Sequence, residues 1–288
     1  MSESPDTRTA ANEPALLTRR AFIATTATVA AASALAPSRV AAAPATGGLI
    51  DTNVALGQWP FRRVPLDEPS ALVAKLREHG VTEAWTGSFD ALLHKDISGA
   101  NARLVAECER HGRGLLMPIG TVNPKLSGWG EDMRRCAEVH RMRGIRLYPN
   151  YHGYALADPI AAQVLERAAH FGLLVQVAVA LEDERTIHPL VNVPALNTAP
   201  LAPLMKKIPT LRLQLLNAFR TLRVPQAIAL AAQRVAFDIT MLDGIEGIAN
   251  LLKQLPAGQL CFGSYAPVFY FEAAMLKLRE SVLSDSQL

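Results

Sequence analysis

The chain has 288 residues, half of them hydrophobic, with 29 basic and 26 acidic side chains and a formal net charge of +3. That balance gives no electrostatic ground for binding nucleic acid. The three cysteines, Cys108, Cys136 and Cys261, are odd in number and widely spaced; this excludes a disulfide framework and a paired-cysteine metal site, and reads as buried thiols.

In chain order, the first signal is Thr18-Arg19-Arg20-Ala21-Phe22-Ile23, followed by the alanine-rich apolar run Ala24 to Ala36 and the small residues Val40-Ala41-Ala42-Ala43-Pro44-Ala45. Paired arginines, a short weakly hydrophobic run and a small-residue site are the layout of a twin-arginine export signal. The run from Ala21 to Ala36 is short for a span of roughly 20 residues and poor in Leu and Ile. Residues 1–45 are therefore expected to be a removable signal peptide, cut after Ala42 or Ala45, which sends the folded protein to the periplasm and leaves no membrane segment. The signal region takes four Arg and three acids, so 25 basic and 23 acidic side chains remain. Residues 46–288 suit one large α/β domain.

Within that domain, short apolar runs predict strands over 48–56, 81–88, 115–122, 144–149, 173–179, 211–217, 234–241 and 259–264. Helical patterns lie between them, near 67–79, 99–112, 129–141, 157–171, 198–208, 225–232, 245–255 and 269–283. Eight β units, each followed by an α unit, predict a parallel sheet closed into a (β/α)₈ TIM barrel. The rival doubly wound fold binds phosphates through a glycine-rich first turn, whereas Leu56-Gly57-Gln58-Trp59-Pro60-Phe61 holds no such pattern. The last helical pattern places Leu276 and Leu278 among Lys277, Arg279 and Glu280, and the chain stops soon after it. The expectation is that a last C-terminal helix is missing or that a second copy of the chain covers the open face.

A barrel of this kind builds its site at the C-terminal strand ends. Reading those ends gives Asp51, Asn53 and Arg62 after the first strand and Asp90 after the second. The fourth gives Arg146, Tyr148 and His152, and the fifth gives Gln176, Arg185 and His188. Asn217 follows the sixth and Tyr265 the eighth. Amides and arginines together suit a small carboxylate- or carbonyl-bearing ligand. His79, His111, His140 and His170 fall late in helices or just after them, on the opposite face.

Leu49-Ile50-Asp51-Thr52-Asn53-Val54-Ala55-Leu56-Gly57 resembles the opening of amidohydrolase-related barrels of the decarboxylase-like branch. Gly144-Ile145-Arg146-Leu147-Tyr148-Pro149 and Phe262-Gly263-Ser264-Tyr265-Ala266-Pro267 are similar to their fourth and final strands. The resemblance implies a metal-dependent-hydrolase-like fold in which a divalent ion is held by a His-x-His pair on strand one, by His on strands five and six, and by Asp on strand eight. The matching positions here are Asn53 and Ala55, Gln176 or its neighbour Ala178, Asn217, and Tyr265. None is a His or a carboxylate, so the metal and its hydroxide chemistry are not carried over. A rebuilt metal site could draw only on His152, His188, Asp90, Glu182 and Asp183.

Without a metal, the candidate acids, bases and anion-stabilising groups are His152, Arg146 and Tyr148. Asp51, Asn53, Arg62, Gln176, Arg185, His188, Asn217 and Tyr265 are candidate ligand-binding residues. The leading expectation is an exported barrel with hydrolase-like or lyase-type chemistry on a small carboxylate- or carbonyl-bearing molecule, in which Arg146→Ala or His152→Ala abolishes turnover and leaves the fold unchanged. The alternative is a pseudoenzyme that binds a small molecule without transforming it. A third reading is a structural subunit exported with a cofactor-bearing partner.

Overall fold

A computed structural model describes residues 48–288 apart from 184, 189 and 192. The expected signal segment, 1–45, lies outside the described residues. The strands are β1 (Leu49–Leu56), β2 (Val81–Ser88), β3 (Leu116–Pro118), β4 (Gly120–Thr121), β5 (Gly144–Leu147), β6 (Leu174–Ala178), β7 (Arg212–Leu216), β8 (Ala236–Asp238) and β9 (Leu260–Cys261). Each pairs in parallel with the next, β1 to β3 in one run and β4 to β9 in another.

Two junctions turn these runs into a closed barrel. The strand predicted over 115–122 is interrupted because Pro118 brings no N–H to the ladder. The Ile119 amide carries the pairing onward, donating to the Thr86 carbonyl at 2.8 Å. At the other seam, Thr52 N–H donates to Phe262 O at 2.9 Å, Tyr265 N–H to Asn53 O at 2.7 Å and Ala55 N–H to Ala266 O at 3.0 Å. The architecture is thus the expected (β/α)₈ barrel.

The helices are α1 (Pro69–Glu78), α2 (Asp90–Leu93), α3 (Ile97–Gly112), α4 (Trp129–Arg134), α5 (Pro149–His152), α6 (Pro159–His170), α7 (Leu201–Lys207), α8 (Val224–Ala231), α9 (Gly247–Leu252) and α10 (Phe271–Glu280). Local chemistry sets several starts. Proline stands at the opening of α1, α5, α6 and α8, where its fixed φ suits a helix and its missing N–H costs nothing. Asp96 caps α3 by accepting from Gly99 N–H at 2.8 Å. The pattern predicted over 129–141 is regular only through Arg134; the next turn is wider, with the His140 amide donating to Arg135 O at 2.9 Å. None of the described helices is long and apolar enough to cross a membrane.

Strand alternation divides the molecule into two interiors. Ile145, Leu147, Val175, Val177, Leu213, Leu215 and Phe237 face outward, fully buried against the helices. Their neighbours Arg146, Gln176, Gln214 and Asp238 face into the barrel and are equally buried. Two of the three cysteines are buried as expected, Cys108 and Cys136, and burial pushes both thiols up to about 12, whereas Cys261 is partly exposed.

At Gly144, opposite Leu174 in the ladder, a Cβ would lie 2.5 Å from the Leu174 carbonyl oxygen. Both groups are main chain in a closed sheet, so neither can retreat. Gly144→Ala should lower unfolding stability by about 1–3 kcal/mol, read as a reduced urea midpoint at constant slope.

Candidate functional site

The interior polar groups form two layers. In the lower one, Arg146, Gln176 and Gln214 stand side by side, because the ladder pairs Arg146 with Gln176 and Gln176 with Gln214. Arg146 Nε donates to Gln176 Oε1 at 2.9 Å, Nη1 to Val54 O at 3.1 Å and Nη2 to Trp85 O at 3.2 Å. Gln176 Nε2 donates to Gln214 Oε1 at 2.9 Å and to Thr52 O at 2.7 Å, and Gln214 Nε2 to Thr52 Oγ1 at 2.8 Å. Gly87 makes room for the guanidinium, since a Cβ there would sit 2.8 Å from Arg146 Nη1. Arg146 is thus a strut across the barrel, and these bonds argue against the expectation that its loss leaves the fold unchanged.

The upper layer depends on an irregularity in β1. Asp51 pairs with Ala84 and Val54 with Thr86, so β1 carries one extra residue there, a bulge that re-aims its side chains. Asn53 Nδ2 reaches Asn217 Oδ1 at 2.9 Å and Asp238 Oδ2 at 2.7 Å. Asp238 also accepts from the Asn217 amide at 2.9 Å and from Thr240 Oγ1 at 2.8 Å. Asp51 Oδ1 accepts from the amides of Asn53 and Ser264, each at 3.0 Å, while its Oδ2 accepts from Ser264 Oγ at 2.5 Å. Burial pushes the Asp51 carboxyl up to about 7; the bonds from Ser264 and Asn53 oppose the shift and the nearby Asp238 charge adds to it. Burial also raises Asp238, against its hydrogen bonds.

Above this layer the centre of the mouth is packed. Ala55, Trp59, Phe89, Tyr148, Ala178 and Tyr265 belong to one buried cluster. Tyr265 meets the Phe269 ring edge-on at 5.6 Å, and its hydroxyl is buried with no hydrogen-bond partner. Burial holds its phenol well above the usual range. Its φ of 55°, like the 57° of Asn217, is left-handed, a conformation that a bulky residue adopts only when its surroundings impose it. Tyr148 is also buried, and burial raises its phenol while the Arg146 guanidinium opposes.

The remaining predicted residues lie beside that cluster or at the surface, His152 meeting the Tyr148 ring edge-on at 5.9 Å. His152, on α5, is buried, with Nε2 3.0 Å from Ala91 O; burial lowers its pKa. Arg62 pairs with Glu182 at 3.3 Å, and Trp59 Nε1 donates to the same carboxylate oxygen at 3.2 Å. Arg185 binds Asp183 at the surface, through Nε at 2.9 Å. His188 accepts from the Leu190 amide in an exposed turn. The structure therefore unites Asp51, Asn53 and Asn217, joins Gln176 to Arg146, packs Tyr148 with Tyr265, and leaves His188 and Arg185 outside these networks.

Strand-end reading alone missed Gln214, Thr240 and Lys277. Strict alternation along β7 would have found Gln214. In the last helix it is Leu276 that is exposed, whereas Lys277 Nζ donates to Ile239 O at 3.2 Å and to Thr240 O. Burial lowers its pKa. Lys277 lines a cavity of about 230 Å³ beside the strand ends, together with Ser264, Thr240, Asp183, Arg220 and Asp243.

The amidohydrolase family pattern matches residues 55–275, and the chain belongs to that family. No curated protein sequence matches it. Among solved structures, it is similar to 5-carboxyvanillate decarboxylase from Novosphingobium aromaticivorans, with bound manganese and 3-methoxy-4-hydroxy-5-nitrobenzoic acid (13% identity, TM-score 0.64, 84% of this chain and 93% of that chain). It is also similar to 2,6-dihydroxybenzoate decarboxylase from Rhizobium (11%, 0.60, 82% and 94%). A third likeness is to dihydroxybenzoic acid decarboxylase from Polaromonas, with manganese and 2-nitroresorcinol (10%, 0.61, 82% and 93%). The shared feature is the barrel.

The residues here do not fit such an ion. Ala178, not Gln176, ends β6 at the level of Ala55 and Tyr265, so the five matching positions offer two amides, two methyl groups and an un-ionised phenol. Among the described residues, no three His, Cys, Asp or Glu side chains are placed to hold a metal, which also disposes of a site rebuilt from the described His152, His188, Asp90, Glu182 and Asp183.

Two outcomes follow from the buried charges. Arg146→Ala would strip Gln176 Oε1, Val54 O and Trp85 O of a buried donor, and should cost about 3 kcal/mol or more by chemical denaturation. For Asp51, the unfolded carboxyl releases its proton near pH 4 and the folded one near 7. Between these values the folded chain holds the extra proton, so this group's contribution falls as pH rises, by about 1.4 kcal/mol per pH unit. The stability of the native protein relative to Asp51→Asn should decline over pH 4–7; a flat difference would mean that Asp51 titrates as a solvated carboxylate.

Proposed function

We propose that this amidohydrolase-family protein is exported through its twin-arginine signal and binds a small carboxylate- or carbonyl-bearing molecule without metal-assisted turnover. The observation that carries the reading is the buried cluster in which Ala55, Ala178 and Tyr265, three of the positions matching the family's ligands, pack with Tyr148. The ligand would instead occupy the cavity beside β8 and α10. There Arg220 bridges Asp183 at 3.2 Å and Asp243 at 3.6 Å; Asp243 is largely exposed, so an incoming carboxylate could take its place while Asp183 keeps the guanidinium in position. The Lys277 ammonium has three donors and uses two on the Ile239 and Thr240 carbonyls; the third would reach a ligand oxygen.

One observation favours a second reading, acid–base catalysis without metal. Ser264 lines the same cavity, and its hydroxyl is bonded to Asp51, a carboxyl poised near neutrality.

Elemental mass spectrometry on protein purified without chelators or affinity metal, joined to thermal shifts with manganese and with a panel of small carboxylates, tests the proposal. The expected result is substoichiometric metal, no manganese shift, and a melting temperature raised by at least one carboxylate, an effect lost in Lys277→Met. Near-stoichiometric metal with metal-dependent turnover would overturn it. Metal-free turnover of a binding molecule, abolished in Asp51→Asn, would establish the second reading.

A further inference from the structure

The opposite end of the barrel carries a larger hollow. A cavity of about 360 Å³ opens at the N-terminal ends of the strands, with Trp85, Met117, Phe171 and Leu174 among its walls and Arg143 and Arg212 at its rim. Its size falls within the range of small-ligand pockets, roughly 300–1,000 Å³. Gly144, Leu174 and Arg212 stand in one row across β5, β6 and β7, and the last two line the hollow. The next inward row up each strand is Arg146, Gln176 and Gln214, whose mutual bonds separate this hollow from the C-terminal face.

The rim has a definite charge. Arg143 Nη1 lies 3.3 Å from each oxygen of Glu83, and Trp85 Nε1 donates to Glu83 Oε1 at 2.7 Å. That carboxylate is matched by one guanidinium. Arg212 donates to the Gly172 carbonyl, a neutral partner, and is exposed at the opening. Two cations against one anion leave a single positive charge over apolar walls.

We infer that the N-terminal end of this barrel is a second binding site, for a monoanionic amphiphile: an apolar body lying between Trp85, Met117 and Leu174, with a carboxylate held by Arg212. A guanidinium grips a carboxylate through two parallel N–H donors, and one net charge matches a monoanion better than a phosphate dianion. The site is independent of the one proposed at the C-terminal face.

Isothermal titration of the purified protein with decanoate, decanol and acetate tests the assignment. Decanoate should bind saturably, one per chain, with decanol and acetate each weaker by about tenfold or more. Arg212→Gln, at an exposed position, should fold with an unchanged circular dichroism spectrum and weaken decanoate by about tenfold or more. Leu174→Trp should fill the hollow and remove binding. No saturable decanoate binding, decanol bound as tightly as decanoate, or unchanged affinity in folded Arg212→Gln would overturn it.

Discussion

A closed barrel stands or falls on the join between its first and last strands, and here that join runs through one buried carboxyl. β9 is only two residues long, so the seam is carried by the stretch after it, which has little regular ladder of its own. Asp51 compensates by holding Ser264 through both amide and hydroxyl while also receiving the Asn53 amide. These bonds fix the β1 bulge, and the bulge aims Asn53 at Asn217 and Asp238. Tyr265, next after Ser264, is then held left-handed by its amide bond to Asn53 O. The cost of this arrangement is electrostatic: full burial raises the proton affinity of Asp51, and the second buried carboxyl, Asp238, raises it further.

The polar interior follows from the same economy of partners. A buried guanidinium is tolerated only when its donors are met, and Arg146 meets them with an amide side chain and two main-chain carbonyls instead of a carboxylate. Gln176 and Gln214 pass the hydrogen bonds on to Thr52 in β1, so the lower layer crosses the barrel as the upper one does. Two polar layers, each tied to β1, brace a barrel whose apolar packing lies mainly between sheet and helices.

The strand pattern was legible because each strand alternates an outward aliphatic with an inward residue; Val175-Gln176-Val177 is that rule in three letters. Barrel closure and helix order followed from it. The site was less legible, because the strand-end rule says where a side chain begins and not where it points. His152 does lie at the strand ends, edge-on to Tyr148 at 5.9 Å, but the helical turn that Pro149 starts after β5 directs its Nε2 to Ala91 O, which the sequence does not disclose. Lys277 sits beside exposed Leu276 in sequence, and its long apolar stem lets a charged residue reach inward. The structural part that Arg146 plays was not legible, since nothing local in the sequence discloses that Gln176, Val54 O and Trp85 O take up its donors.

The side chains at the positions that the resemblance matches to metal ligands are physically coupled. Removing imidazoles and a carboxylate from the barrel mouth would leave a void, and voids destabilise in proportion to their volume. Here Tyr265 occupies that level, with Phe89 at 6.3 Å and Phe269 at 5.6 Å, and Trp59 packs on Phe89 at 5.0 Å. The alanines at 55 and 178 are what allow rings of this size to meet. Restoring one ligand alone would therefore not restore a metal site. An aspartate at 265 would place an unpaired carboxylate among aromatic rings and reopen the void, so that burial would favour its neutral form, the one least able to bind a cation. The mouth is filled by packed rings that leave no place for a single introduced ligand, whereas the hollow at the other end, walled mainly by apolar side chains, remains open space.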